Sequence, residues 1–312
     1  MLKIYKTNKD GIVETLKSMQ NYCWIDLVNP TESELDKVSL KTNISKSLIL
    51  KVLDYEELPR IEFEDNATLI VVDIPYIEDK KVKNKYSTIP LGIIINENYL
   101  LTVCLKETEV LKDNKNNKNK SLSTAKRTRF IIQLLFRIAT YYIRYLNMIN
   151  SEIENKEKDL IKSTSNKELL NLMHIQKSLV YFVTSLKANA IILEKLSKGN
   201  VLNLYEEDED LLEDAIIENN QGIETANIYR EIISSMSDTY ATIISNNLNT
   251  VMKFLAGITI VLSIPTIIAS FMGMNVDLGL LNNNPFAFLI ILLISIVISL
   301  IIAFVLKKKG ML

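Results

Sequence analysis

The strongest constraint in this sequence lies at its C-terminal end: residues 254–276 carry no charged side chain, and after Asp277 neither do residues 278–306. A helix needs about 20 apolar residues to cross the hydrocarbon of a bilayer, and each run is long enough. Backbone amides cannot go unpaired in lipid, so two such runs in close succession predict a helical hairpin. The first span covers 253–275, a short outer loop 276–285, and the second span 286–306. The second is Ile, Leu, Val, Phe and Ala with two serines, Ser295 and Ser299, which are expected to donate to backbone carbonyls of their own helix. Lys253 precedes the first span, and Lys307, Lys308 and Lys309 open a basic tail, 307–312. Lysines at both ends place both termini on the cytoplasmic side of a plasma-membrane hairpin. The opening stretch MLKIYKTNKDG has no apolar signal core. The roughly 250 residues before the hairpin are therefore expected in the cytosol.

Several function classes have no visible seat. Lys plus Arg is 36 and Asp plus Glu is 37, so no whole-molecule charge draws the chain to nucleic acid. Two cysteines, Cys23 and Cys104, and one histidine, His174, build neither a disulfide framework nor a Cys/His zinc centre. No Walker-type or Rossmann-type glycine pattern offers ATP-driven work or an organic cofactor a place. No nucleophile–base constellation points to an enzyme.

The prolines divide the cytosolic part. Pro30, Pro59, Pro75 and Pro90 fall in the first 90 residues, and none lies between 91 and 264. A mixed α/β domain is predicted over 1–120 and a helical bundle and stalk over 121–252. Strand candidates are 23–28, 67–74, 89–95 and 99–105, rich in β-branched and apolar residues. Thr31 followed by Glu34 is a capping box opening a short helix. Trp24 is read as core, His174 receives no role, and 112–120 (KDNKNNKNK) reads as a solvated loop. Helices are predicted over 123–161 and 166–196, with a turn at Gly199, and then one continuous helix over 204–272. At about 1.5 Å per residue that helix is about 100 Å long, far more than the bilayer needs. The predicted fold class is an α+β membrane protein: a cytosolic α/β domain, a long helical stalk and two C-terminal transmembrane helices.

Alternate steps of four and three along the long helix select Glu231, Ser235, Asp238, Thr242, Ser245, Asn249, Met252, Ala256, Thr259, Ser263, Thr266 and Ser270. All but Met252 are polar or small. In the cytosolic half this is what a solvated coiled-coil face looks like. Inside the membrane the outside is lipid, so hydroxyls on one face call for a neighbouring helix or water. One hairpin cannot enclose water; a stripe of this kind implies a ring of identical subunits, its first span inward and its aliphatic second span toward lipid. A straight helix drifts about 20° per heptad from such a repeat, so holding one face along the full stripe requires supercoiling or tilt.

At the outer end of the first span stands Ser270-Phe271-Met272-Gly273-Met274-Asn275-Val276. It resembles the CorA family of divalent-cation channels, whose hallmark is Gly-Met-Asn closing the first of two C-terminal spans. WIDLVNPTESEL, the Asp-Leu-Leu-Glu-Asp stretch, YREIISSMSDTY, SNNLNTVMKFL and the closing LKKKGML also look like this family, across essentially the whole chain. The resemblance implies a homopentameric funnel conducting Mg²⁺, commonly with Co²⁺ and Ni²⁺. It assigns Gly273, Met274 and Asn275 to the outer selectivity motif. Asn249, Met252, Leu255 and Thr266 match pore-lining positions, the first three near an inner hydrophobic gate. Ser263 falls where some members carry methionine. Asp214 and Asp238 match regulatory metal positions between subunits. This chain departs from the commoner pattern at Met272, Pro265 and Asp277.

The chemistry suits the ion. Mg²⁺ loses water reluctantly and prefers oxygen; neutral Asn275 amides and Gly273 carbonyls would hydrogen-bond a hydrated ion without holding it as a carboxylate ring would. Mg²⁺ bridging the Asp214 and Asp238 carboxylates between subunits would hold the ring shut, and its loss would open the Met252–Leu255 constriction. Two further readings stay open at this stage: a zinc transporter of the same superfamily, and a membrane-anchored sensor or scaffold without conduction.

Overall fold

In the computed structural model, which describes residues 1–8, 11–64, 66–78, 85–115, 123–162, 166–199, 201–274 and 286–311, the chain falls into two compact units, Met1–Met236 and Ser237–Leu312. The first is built on a seven-stranded sheet of order β2-β1-β3-β7-β6-β5-β4. The strands are β1 (Leu2–Thr7), β2 (Val13–Thr15), β3 (Cys23–Val28), β4 (Arg60–Glu64), β5 (Ala67–Ile77), β6 (Tyr86–Ile95) and β7 (Tyr99–Cys104). All pairings are antiparallel except β3 with β7, which run parallel with Cys23 opposite Tyr99.

Every residue of β3 and β7 is buried. A sheet covered on both faces reads as an unbroken apolar run rather than an alternation, and CWIDLV and YLLTVC are such runs. One face packs on α1 (Glu32–Thr42) and α2 (Lys46–Lys51): Leu35, Val38, Leu48 and Val52 join Ile25, Leu27, Leu69, Val71 and Leu101 in one core. The α1 start is the expected capping box, with Thr31 and Glu34 satisfying each other's backbone N–H. On the other face Trp24, fully buried, stacks against Tyr5 and Phe130 at centroid distances of 4.9 and 5.1 Å. Its indole N–H donates to Thr102 Oγ1 at 2.8 Å, and that hydroxyl donates to Asp26 at 2.7 Å.

Pro75 and Pro90 stand inside strands. β4 covers β5 only over 67–71, and β7 covers β6 only over 91–95, so both prolines lie where their strand has a single neighbour. A missing N–H there costs no ladder bond. Beyond the end of β4 the side chain of Asn189 takes the place of a strand: it accepts from the Asp73 N–H at 2.9 Å and donates to the Asp73 carbonyl at 2.7 Å.

The helices after the sheet are α3 (Glu109–Lys115), α4 (Arg127–Lys162), α5 (Asn166–Ser197), α6 (Glu206–Met272) and α7 (Ala287–Lys308). Residues 112–115, expected as loop, form the end of α3, because the fully buried Val110 and Leu111 anchor its first turn. The rest of that stretch lies outside the described residues. The change in proline content marks the passage from mixed to helical structure, yet α4 and α5 belong to the same compact unit as the sheet. Gly199 ends α5 in the left-handed region, with φ of +72°.

Candidate ion pathway

The second unit holds the C-terminal part of α6 and all of α7. Among the described residues these are the two helices long and apolar enough to cross a membrane, and only 6% of the most apolar window of each is buried. The core helices of a soluble domain would be covered by their own chain, and these two are not. Leu248, Val251, Phe254, Leu262 and Phe271 stand exposed on α6, as do Phe288, Leu300 and Phe304 on α7. On α7 the serines are satisfied as expected. Ser295 Oγ donates to the Leu292 carbonyl and Ser299 Oγ to the Ser295 carbonyl, both at 2.8 Å.

The polar stripe lies on α6. At about 100° per residue, Met252, Ala256, Thr259, Ser263, Thr266 and Ser270 fall within an arc of about 80°, so in this stretch a straight helix keeps them on one face. Asn249 and Leu255 flank the Met252 end. Asn249, Met252, Leu255, Ala256, Thr259, Thr266 and Ser270 are exposed in the single chain, and Ser263 is half-buried. Three of the four hydroxyls turn back on their own helix. Thr259 Oγ1 donates to the Leu255 carbonyl at 2.8 Å, Ser263 Oγ to Thr259 at 2.7 Å, and Thr266 Oγ1 to Leu262 at 3.2 Å. A hydroxyl has one proton and two lone pairs. With the proton committed, each group offers only acceptor capacity outward. Pro265 sits within α6 without ending it.

At the outer end, Gly273 N–H bonds the Ala269 and Ser270 carbonyls at 3.0 and 3.2 Å. Among the described residues, a Cβ added at Gly273 would meet nothing closer than 3.6 Å, so none of them demands glycine there. Met274 is exposed. Asn275, the third member of the motif, and Asp277 lie outside the described residues.

Asp214 and Asp238 are both exposed and both on α6, roughly seven helical turns apart. One ion does not reach both carboxylates of one chain. Among the described residues no group of three or more His, Cys, Asp or Glu side chains is placed to hold a metal. The acidic run at the start of α6 is mostly solvated surface, with one exception that the sequence reading missed. Asp208 is 4% exposed and sits 3.6 Å from Arg129 Nε, while Arg129 Nη1 pairs with Glu207 at 2.8 Å. The acids also favour a helix N-terminus. No spacing rule links Arg129 to residues so far along the chain, and only the complementary charge could have suggested it.

Residues 19–308 match the family described as CorA-like Mg²⁺ transporter protein. The chain is 29% identical to the cobalt/magnesium transport protein CorA of Methanocaldococcus jannaschii, over 99% of each chain. It is 21% identical to the protein of the same name in Thermotoga maritima, over 98% of this chain and 88% of that one. The complete structure of the CorA magnesium transporter from M. jannaschii superposes with a TM-score of 0.85 at 26% identity, covering 100% of this chain and 99% of that one. With an α/β unit, a long helix and two exposed apolar C-terminal helices in the same order along its length, the chain belongs to the CorA-like Mg²⁺ transporter family.

Proposed function

We propose that this chain assembles as a homopentamer in the plasma membrane, with both termini cytoplasmic, and forms a passive channel for Mg²⁺ that also passes Co²⁺ and Ni²⁺. The observation that carries the proposal is the face of α6 on which Thr259, Ser263 and Thr266 have given their protons to their own helix. A hydrated cation turns its water oxygens inward and its water hydrogens outward, so its surroundings must accept hydrogen bonds. At the levels of Thr259, Ser263 and Thr266, five copies of such a face around an axis present acceptor oxygens and no hydroxyl protons. That lets the ion keep the water it loses reluctantly. Asn275 and the carbonyls of Gly273 would complete the outer end, and Met252 with Leu255 the inner constriction.

No nucleotide is needed. A divalent ion crossing 100 mV gains about 4.6 kcal/mol, which holds roughly a thousandfold gradient at equilibrium. Control then falls to the acids. In a ring of α6 helices Asp214 and Asp238 would lie at two separate levels, so each site requires an acid from a neighbouring subunit at its own level. Mg²⁺ as regulator suits these exposed carboxylates; without it their like charges repel and the closed ring loosens.

Dye-reported uptake into proteoliposomes containing only this protein, at one imposed potential, tests the proposal. Mg²⁺, Co²⁺ and Ni²⁺ enter, and Asn275→Ala abolishes entry while the oligomer survives. Asp214→Lys combined with Asp238→Lys removes the block by Mg²⁺ on the cytoplasmic side. Entry of Zn²⁺ alone would identify a zinc transporter instead, and no flux of any ion would leave an anchored scaffold.

A further inference from the structure

One end of the sheet opens into a cleft of about 700 Å³, within the range of small-molecule sites. Five segments meet there: the end of α1 at Asn43, the β4–β5 turn at Glu64 and Asn66, the β6–β7 turn at 96–98, the start of α4 at Arg127, and the 201–203 connection into α6. Part of the lining is frame. Asn96 donates to the Thr42 carbonyl at 2.8 Å and accepts from the N–H groups of Asn98 and Tyr99 at 3.1 and 2.8 Å. Arg127 donates to the Asn96 carbonyl and lies 5.9 Å from the centre of the Tyr22 ring.

The rest of the polar lining is not engaged. Among the described residues, the side chains of Asn43, Asn66, Asn98, Asn203, Thr68 and Thr128 make no hydrogen bond. Glu64 is more telling: its Oε2 is shut off from solvent and has no hydrogen-bond partner among the described residues. A buried acceptor without a donor costs roughly 1–3 kcal/mol, so this corner lacks a donor group.

The chemistry of the lining narrows what would supply it. Among the described residues of the lining, Glu64 and Glu97 outnumber Arg127, so a phosphate or other anion meets net repulsion. An ammonium only donates, and would leave the amide N–H groups unmatched. Amides and hydroxyls both donate and accept, as the hydroxyls of a sugar do. Phe63, 64% exposed, and the buried Leu202 add apolar surface for a C–H face. We infer that the cleft binds a neutral polyhydroxylated molecule of mono- to disaccharide size, with the Glu64 side chain turning so that its unpaired oxygen accepts from one of the hydroxyls. Because 201–203 lead directly into α6, the bound molecule ties the sheet to the start of that helix.

Calorimetric titration of the full-length protein in detergent with glucose, maltose and myo-inositol tests this, with spermidine, AMP and MgCl₂ as contrasts. Polyols stabilise any folded protein by exclusion from its surface, so a thermal shift alone does not count; that effect neither saturates nor depends on Glu64. The expected result is saturable binding of at least one polyol, weakened about tenfold by Glu64→Gln, the worth of a charge-assisted hydrogen bond. Asn66→Ala weakens it several-fold, and both variants keep the oligomer. The inference is overturned if none of the three polyols binds saturably, or if binding ignores both substitutions. It is equally overturned if spermidine, AMP or Mg²⁺ is the species whose binding Glu64→Gln removes.

Discussion

In the unit Met1–Met236 the hydroxyl of Thr102 is fully buried and held by other strands and side chains, between the Trp24 indole and the Asp26 carboxylate. In Ser237–Leu312 the hydroxyl of Thr259 is exposed and held by the carbonyl one turn back on its own helix. The same side chain is long-range glue in one unit and locally self-sufficient in the other. The difference extends to the apolar residues. Ile25, Val71 and Leu101 are fully buried by their own chain, whereas Leu262 and Phe271 stand open. The first unit carries its own solvent-excluded interior. The second leaves its apolar surface exposed, which the proposed assembly would give to lipid and to other copies, and hydroxyls that need nothing from the fold are available to something outside it.

If the first unit is stabilised by long-range packing, the largest loss should come from its largest fully buried ring. Trp24→Ala removes a side chain with no solvent exposure and strips Thr102 of its indole donor. Loss of about 3–5 kcal/mol is expected, read as a lowered midpoint in chemical denaturation of the purified protein. A fall below 1 kcal/mol would mean the interior is far looser than the packing implies.

Gly92→Ala comes next. A Cβ there would stand 2.4 Å from Val52 Cγ2 and 2.8 Å from Val52 Cγ1, so β6 and the residue after α2 cannot both stay in place. About 1–3 kcal/mol is expected to be lost. The Val52→Ala partner makes room and should restore part of it in a double-mutant cycle; strict additivity would show that Val52 is not the obstacle.

Asp73 gives a smaller effect of opposite sign. Burial pushes its carboxyl above the usual aspartate range, and the Ser185 hydroxyl, donating to it at 2.6 Å, offsets only part of that. A carboxyl raised on folding contributes its stability below its unfolded value and loses it as pH rises through the folded value. At neutral pH the chain therefore bears the cost of an enclosed carboxylate with no cation beside it among the described residues. Asp73→Asn keeps an acceptor for Ser185 and should raise the melting temperature by a few degrees at neutral pH. The gain should shrink on acidification toward the aspartate range, and a gain that ignores pH would assign it to packing.

What the sequence makes legible follows the same division. The two apolar C-terminal helices, the long helix and strands β3, β5, β6 and β7 are visible because continuous apolar runs leave few alternatives. β1, β2 and β4 are not: LKIYKT and RIEFE mix apolar and charged residues, and VET is three residues long, as befits strands at or near the sheet edges. The start of α3 is hidden by the asparagines and lysines that follow it. The stripe on α6 stands out because lipid forbids a casual polar face. The Arg129–Asp208 tie and the cleft around Glu64 have no spacing at all, since they are assembled from turns and helix ends far apart in the chain.

The smallest expected change in stability is the most discriminating. Thr259→Val keeps the branched shape and removes only the hydroxyl. Its bond to Leu255 is a local one that bends back on the helix and adds little to stability, so the melting temperature should move by less than about 0.5 kcal/mol equivalent. If the hydroxyl's lone pairs face a shared aqueous axis, one substitution removes an acceptor from every subunit at one level. Mg²⁺ uptake by proteoliposomes should then fall by about tenfold, the effect of roughly 1.4 kcal/mol on the barrier. Val261→Ala, on the opposite side of α6, should leave uptake far less affected. Were the two substitutions to act alike on flux, the polar face would be packing surface, and the contrast between a self-contained unit and an outward-facing one would lose its functional meaning.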